Sequence, residues 1–153
     1  ETGCVRGRAE HMGNRNYCGQ EGVDAAAKSR IYAALKRIAN LRRQSPALQR
    51  GLQLNLLMNG EEAVFYRVYE HAGVTQTALV LLNKGDASRR IALDEYIQPG
   101  NWRDAFSGKQ VRIGNQLQMD VPAHGVRVLL IDQALTRKDL RARLVDSMAR
   151  KDR

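Results

Sequence analysis

The 153-residue sequence predicts a mainly β protein: an antiparallel β-sandwich preceded by a loop and a helix and followed by a C-terminal helix. Three observations predict it. Between Gly51 and Asp132 apolar residues recur with the period of two that strands require. Turn signals cut this region into about eight short runs with no helical stretch between them, the pattern of a sandwich. On either side the period changes to that of an amphipathic helix.

Each element can be justified in order. Residues 1–23 carry Gly3, Gly7, Gly13, Gly19 and Gly22 among polar residues without periodicity, and read as a loop. Asp24 is the expected N-cap of a helix through "AAAKSRIYAALKRIANLRRQ", with Ile31, Ala34, Leu35, Ile38 and Leu41 on one stripe. Lys and Arg crowd its C-terminal end, where the helix dipole favours cations. Pro46 prevents simple continuation, and Ser45 is placed to cap a short further turn. "LQLNLLM" and "AVFYRVYE" read as a hairpin turning at Asn59-Gly60. "TQTALVLLN" is the more continuous apolar run of a central strand. "RRIALDEYI" and "WRDAF" are separated by "QPGN", and "KQVRI" and "LQMDV" by Gly114-Asn115. "VPAHG" turns into a last strand, "VRVLLID". From Ala134 to Arg150 a further helix repeats Leu140, Leu144, Val145 and Met148 at helical spacing.

Composition narrows the function classes. The net charge of +9 and pI near 10.1 invite a nucleic-acid reading. Aromatics are only 5%, however, and the basic residues thicken in helical stretches where acids or polar residues interleave, the pattern of a solvated face. No nucleic-acid partner is expected. No apolar run approaches the ~20 residues of a membrane helix, so no membrane partner is expected either. The chain opens "ETGCVRGRAE", with no Met and no signal-peptide apolar region, and is expected to have been processed or cut from something longer. Cys4 and Cys18 lack metal-ligand spacing, and only His11 lies between them; a disulfide and two thiols both fit.

Chemistry-bearing motifs are sparse. There is no metal motif, phosphate loop or nucleophile elbow, so no metal or cofactor is expected, and no residue is assigned as catalytic. Ser29, Ser45, Ser88, Ser107 and Ser147 lie in no nucleophile context. His124 in "VPAHGVRV" reads as a turn residue bonded to local backbone, and Trp102 in "PGNWRDAF" as a core residue rather than a sugar-stacking platform.

The order helix, "SPAL..G", hairpin with "VFYRVY", strand ending "LVLLNKGD", then "W.D.FSG" and "L.M.VPAHGVRVLL" resembles the C-terminal part of the α-amylase superfamily, glycoside hydrolase family thirteen. The resemblance runs from about Ala25 to Asp132, and the loop and helix look most like those of cyclodextrin glucanotransferases, neopullulanases and other maltodextrin-active enzymes. It implies that residues 1–50 are the end of a truncated (β/α)8 barrel, 51–133 the β-sandwich called domain C, and 134–153 a helical tail. "ETG" resembles the end of the family's "YGTE.G" segment, which makes Glu1 a substrate-site candidate. Asn14-Arg15 is similar to the "NR" of the family's "DP.NR" loop, which makes Arg15 a substrate-contact candidate; here "DP" is absent and His11 stands where the family has Asp.

The resemblance also implies what the chain lacks. Family chemistry uses two carboxylates flanking the glycosidic bond in a retaining scheme, at the C-terminal ends of barrel strands, and those strands would precede Glu1. The expected function is therefore that of a structural accessory domain of an enzyme that hydrolyses or transfers α-1,4-glucosyl units, inactive alone. An α-glucan or maltodextrin is the implied partner, reached through the missing barrel. A periplasmic or secreted setting is implied by the family alone. The alternatives from the residues are a stand-alone β-sandwich that binds carbohydrate or stabilises a neighbour and, behind it, a basic nucleic-acid-binding domain. The helical stripe of Ile31, Leu35 and Ile38, left bare, is expected to fold back or to pair two copies in a homodimer.

Overall fold

The computed structural model describes residues 19–149. The chain divides into two compact units, one ending at Leu41 and the other beginning at Arg42.

The first unit is helical. Helix α1 spans Gly19–Ala27 and α2 spans Arg30–Gln44, running on past the end of this unit. The expected loop through residue 23 and the expected cap at Asp24 are both corrected here. Asp24 lies inside α1 and accepts from Gln20 Nε2 at 2.9 Å, an i,i+4 pair that supports the helix. Glu21 in the first turn suits the positive end of the helix dipole. The chain breaks at Lys28–Ser29, and Ser29 Oγ accepts from the Tyr32 N–H at 3.1 Å, so Ser29 is the cap of α2. No residue of α2 is buried: Ile31 is 73% exposed and Leu35 60%.

The second unit opens with α3, Pro46–Arg50, capped by Ser45 as expected: its Oγ accepts from the Leu48 N–H at 3.3 Å. Gly51 follows because of a close approach. A Cβ there would collide with the Ala47 carbonyl and come within 2.9 Å of Val68 N.

Eight strands follow: β1 Leu52–Asn59, β2 Glu62–His71, β3 Val74–Asn83, β4 Arg89–Leu93, β5 Gly100–Asp104, β6 Gln110–Ile113, β7 Leu117–Val121 and β8 Gly125–Ile131. All pair antiparallel, in a six-stranded sheet of order β1-β2-β3-β8-β5-β6 and a two-stranded sheet of β4 and β7. The first hairpin turns one residue later than expected. Asn59 pairs with Glu62, leaving Gly60-Glu61 as the loop, and Asn59 Oδ1 accepts from the Glu62 N–H at 3.0 Å. The β2–β3 hairpin turns at Ala72-Gly73, with φ of 50° and 78°, the left-handed pair that a tight two-residue hairpin turn needs.

Alternation along the strands puts Val64, Tyr66, Val68, Leu79, Leu81, Trp102 and Leu129 on one face of the large sheet. Ile91, Leu117 and Val121 from the small sheet close over them. Helix α4, Lys138–Ala149, adds Leu140 and Leu144 to the same core. Its predicted stripe is thus split: Leu140 and Leu144 are buried, while Val145 and Met148 are half exposed.

Candidate functional site

Burial settles which of the chemistry-bearing side chains could meet a substrate, because such a group must be reachable. Trp102 is fully buried. Its ring stacks on Tyr66 at a centroid distance of 6.2 Å, and its indole N–H donates to the Gln98 carbonyl at 3.2 Å. It is a core tryptophan, closed to any sugar. The Tyr66 hydroxyl accepts from the Gln98 N–H at 2.9 Å and donates to the Tyr96 carbonyl at 3.3 Å. Burial pushes its pKa up to about 12, against a smaller opposing effect of the Gln98 hydrogen bond, so it stays a neutral phenol.

His124 sits in the turn before β8, with φ of 48°. The expected local backbone bond is corrected: its N–H donates to the distant Gly85 carbonyl at 3.2 Å, and its Nε2 lies 3.0 Å from Asp86 Oδ1. The Ser45 hydroxyl is spent on α3: besides capping it, it donates to Gln76 Oε1 at 2.6 Å. Gln76 Nε2 in turn donates to Asp132 Oδ1 at 2.8 Å. The Ser107 hydroxyl donates to Asp104 Oδ1 at 2.9 Å. Glu1 and Arg15, with Cys4, His11 and Cys18, lie outside the described residues.

Several of the described carboxylates meet arginines. Glu61 meets Arg89, Glu70 meets Arg141, Asp120 meets Arg90, and Asp139 meets Arg137. Asp104 is the buried one, 4% exposed. Burial acts to raise its pKa, but the Ser107 N–H and hydroxyl, the Phe106 N–H and the Arg127 guanidinium outweigh that and hold it below the usual carboxylate range. These contacts fix the β5–β6 turn and leave the Asp104 carboxylate ionised, the wrong state for a general acid. Among the described residues no group of three His, Cys, Asp or Glu could hold a metal ion, and no helix is long and apolar enough to cross a membrane.

One recess is roomy and polar. It has a volume of about 580 Å³ and is lined by Pro99, Gly100, Asn101, Arg112, Ile113, Gly114 and Asn115. Asn101 and Arg112 are cross-strand partners of β5 and β6 and both are exposed. Gly100 keeps the strand close to its neighbours, since a Cβ there would lie 2.7 Å from Ile131 Cδ1.

The sandwich has solved counterparts. The chain has the fold seen in part of known α-amylases. An Anoxybacillus α-amylase matches 85% of this chain at 18% identity and a TM-score of 0.57, over 27% of that chain. CldA, a cyclomaltodextrin glucanotransferase, matches 85% at 19% identity and a TM-score of 0.59, over 27% of its own chain. A Geobacillus thermoleovorans α-amylase solved with acarbose matches 85% at 20% identity and a TM-score of 0.57, over 28% of its own. The chain therefore spans about a quarter of the length of these proteins. No family model matches the chain, and no curated protein does.

The groups that periodicity missed are buried amides. Asn83 Nδ2 donates to the carbonyls of Ala87, Val121 and Pro122 at 2.8, 3.2 and 3.0 Å. Gln98, in the "QPGN" read as a plain turn, is only 2% exposed. Only the glycine and proline around these two residues signalled that the chain turns there.

Proposed function

We propose that the chain is the C-terminal accessory part of an α-glucan-active glycosidase or glucanotransferase. Residues 1–50 then complete a catalytic barrel, 51–133 form the domain C sandwich and 134–153 the helical tail. The observation that carries this reading is the shared fold: most of this chain matches about a quarter of two α-amylases and a cyclomaltodextrin glucanotransferase. The order of "SPAL..G", "LVLLNKGD" and "VPAHGVRVLL" supports it independently.

In this reading the parent breaks or transfers α-1,4-glucosyl bonds by a retaining mechanism. One carboxylate attacks the anomeric carbon while a second protonates the leaving oxygen and later activates water or an acceptor sugar. The module supplies neither carboxylate. Glu61, Glu70, Asp104, Asp120 and Asp139 are tied into ion pairs with arginines, and its one tryptophan is core. Its role is structural, and maltodextrin is met through the barrel, where Arg15, and more remotely Glu1, contact the substrate.

Three experiments test this. The purified chain incubated with starch and maltodextrins is expected to release no reducing sugar and form no cyclodextrin; activity above a blank would overturn the accessory role. The reading frame preceding Glu1 is expected to encode barrel strands carrying an Asp and a Glu. Arg15→Ala in that parent should lower kcat/KM on maltodextrins while leaving its melting temperature alone, and an unchanged kcat/KM would remove Arg15 from the substrate site.

A further inference from the structure

Asn59 is the one asparagine of the sequence that is followed by glycine. That neighbour matters chemically, because a glycine nitrogen has no side chain beside it to shield it from the asparagine amide. The fold holds this asparagine tightly. Asn59 ends β1 opposite Glu62. Its Oδ1 accepts from the Glu62 N–H at 3.0 Å and its Nδ2 donates to Glu62 Oε2 at 3.1 Å, so both polar atoms of the side chain are spent on one residue. Glu61 is anchored separately: its carbonyl accepts from the Lys84 N–H at 2.9 Å, and its carboxylate meets Arg89. Gly60 lies between these two anchors, and nothing in its geometry calls for glycine. Its φ is outside the left-handed region, and a Cβ there would meet nothing within 4 Å.

We propose that Asn59 is a self-modifying residue: when the β1–β2 turn opens, its side-chain amide is lost to attack by the Gly60 nitrogen, and in the closed turn Glu62 prevents this. Solvent base takes the Gly60 amide proton. The nitrogen bonds to Cγ of Asn59, the Cγ–Nδ2 bond breaks, and Nδ2 leaves as ammonia with a proton from water. A further water opens the resulting cyclic imide. Cleavage at Cγ leaves an aspartate; cleavage at the main-chain carbonyl leaves an isoaspartate, whose chain runs through the former side chain. Closing the ring onto Gly60 requires the Asn59 side chain to leave both of its bonds to Glu62. Either product then damages the turn. The Nδ2 donor is replaced by a carboxylate facing Glu62, and like charges directly opposite each other destabilise a strand pair. Isoaspartate also adds a backbone atom where β1 and β2 turn. An opening of the turn can thus become permanent. The inference rests on this turn alone and is independent of the carbohydrate reading.

The test incubates the full chain in mildly alkaline buffer, with and without denaturing urea, and follows position 59 by peptide mass spectrometry. Modification should run at least about tenfold faster in urea, because a guarded site reacts only through its open form. Glu62→Ala should raise the native rate at least about threefold while leaving the rate in urea unchanged. Amide exchange in that variant should quicken at the β1–β2 turn and not in β8. Gly60→Ala should suppress modification in both conditions, with a melting temperature unchanged or slightly higher. Asn59→Asp, which carries the product's charge, should quicken amide exchange at the turn at neutral pH. Equal rates in native buffer and urea, a native rate that Glu62→Ala leaves alone, or exchange that quickens equally in β8 would each overturn the role of Glu62 as a local guard. Undiminished modification of position 59 in Gly60→Ala would overturn the attack by the Gly60 nitrogen.

Discussion

Helices α2 and α4 read alike in the sequence and behave differently in the fold. Both repeat aliphatic residues at helical spacing and both carry many cations. Helix α4 places Leu140 and Leu144 in the common core, while α2 buries nothing. The difference lies in what surrounds each helix. The segment leading into α4 is clamped before the helix begins. Gln98 Nε2 donates to Thr136 Oγ1 and Gln98 Oε1 accepts from the Thr136 N–H, each at 2.8 Å. Arg137 donates to the Ile97 carbonyl at 3.2 Å. Farther along, Arg143 lies 4.5 Å from the Tyr96 ring and donates to the Asn55 carbonyl, and Arg141 meets Glu70. The cations of α4 thus have carboxylates, carbonyls and a ring to meet on the sandwich. Amphipathic spacing shows that a helix has an apolar side; the polar atoms fixed around it determine whether that side is filled.

The largest effect should come from the buried side of α4. Leu140→Ala is expected to lower unfolding stability by about 2–5 kcal/mol, the cost of a large-to-small change in a packed core. Ile31→Ala in α2 should cost no more than about 0.5 kcal/mol. Urea melts of both variants measure the contrast directly, and equal losses would erase it.

Next comes the clamp. Gln98→Ala removes both side-chain bonds that hold the exposed Thr136 to the buried Gln98. A loss of about 1–3 kcal/mol is expected, with amide exchange accelerating first in α4. Uniform acceleration through all strands would show instead that the residue serves the sandwich as a whole.

A smaller effect should appear with acid. The hydrogen-bonded Arg137 is the main cause of an Asp139 pKa below the usual carboxylate range, and the Leu140 N–H adds to it. A folded-state pKa below the unfolded one stabilises at pH above the unfolded value, about 3.9, and that contribution is lost as pH falls through the folded value. Acid titration should therefore loosen the start of α4, and Asp139→Asn should remove that pH dependence. Helix α2 has no acid in its first turn and should not respond. Helicity followed by NMR chemical shifts from about pH 6 down to pH 2 separates the two.

Smallest of all, Ala72→Gly should stabilise by about 0.5–1 kcal/mol, because an L-residue at a φ of 50° is strained and glycine is not. A melting temperature that falls would mean that the Ala72 methyl makes contacts worth more than the strain it incurs.

Much of this fold was legible because strands announce themselves twice, by alternation and by the turns between them. Each of the eight strands falls on an expected run, five of them overrunning it by one or two residues, with β5 taking Gly100 and Asn101 from the expected "QPGN" turn, and Ser45 caps α3 as its place before Pro46 implies. The misses are physical. Helix α1 was hidden by glycines at 19 and 22, and it draws on the local Gln20–Asp24 bond and dipole effects, which leave no periodic trace. The Ala72-Gly73 turn was hidden because alanine stands where asparagine or glycine normally signals it. Gln76, Asn83 and Gln98 looked like ordinary polar residues, since their partners come from strands and loops far away in sequence. The expected substrate contacts, Glu1 and Arg15, depended on the family resemblance and owed nothing to patterning.

The strand order has a consequence for how the protein is made. The last strand, β8, lies in the middle of the large sheet, between β3 and β5. While the chain is being synthesised, β1, β2 and β3 can zip up as local hairpins soon after they emerge. The open side of β3, with Ala78, Leu79, Val80 and Leu81 all buried in the finished fold, must then wait for about fifty more residues. During that interval β3 is an apolar edge with unpaired backbone, the kind of edge that recruits other chains. Translation speed beyond Asn83, and chaperones that cover such an edge, will therefore govern the yield of folded protein more than its final stability does.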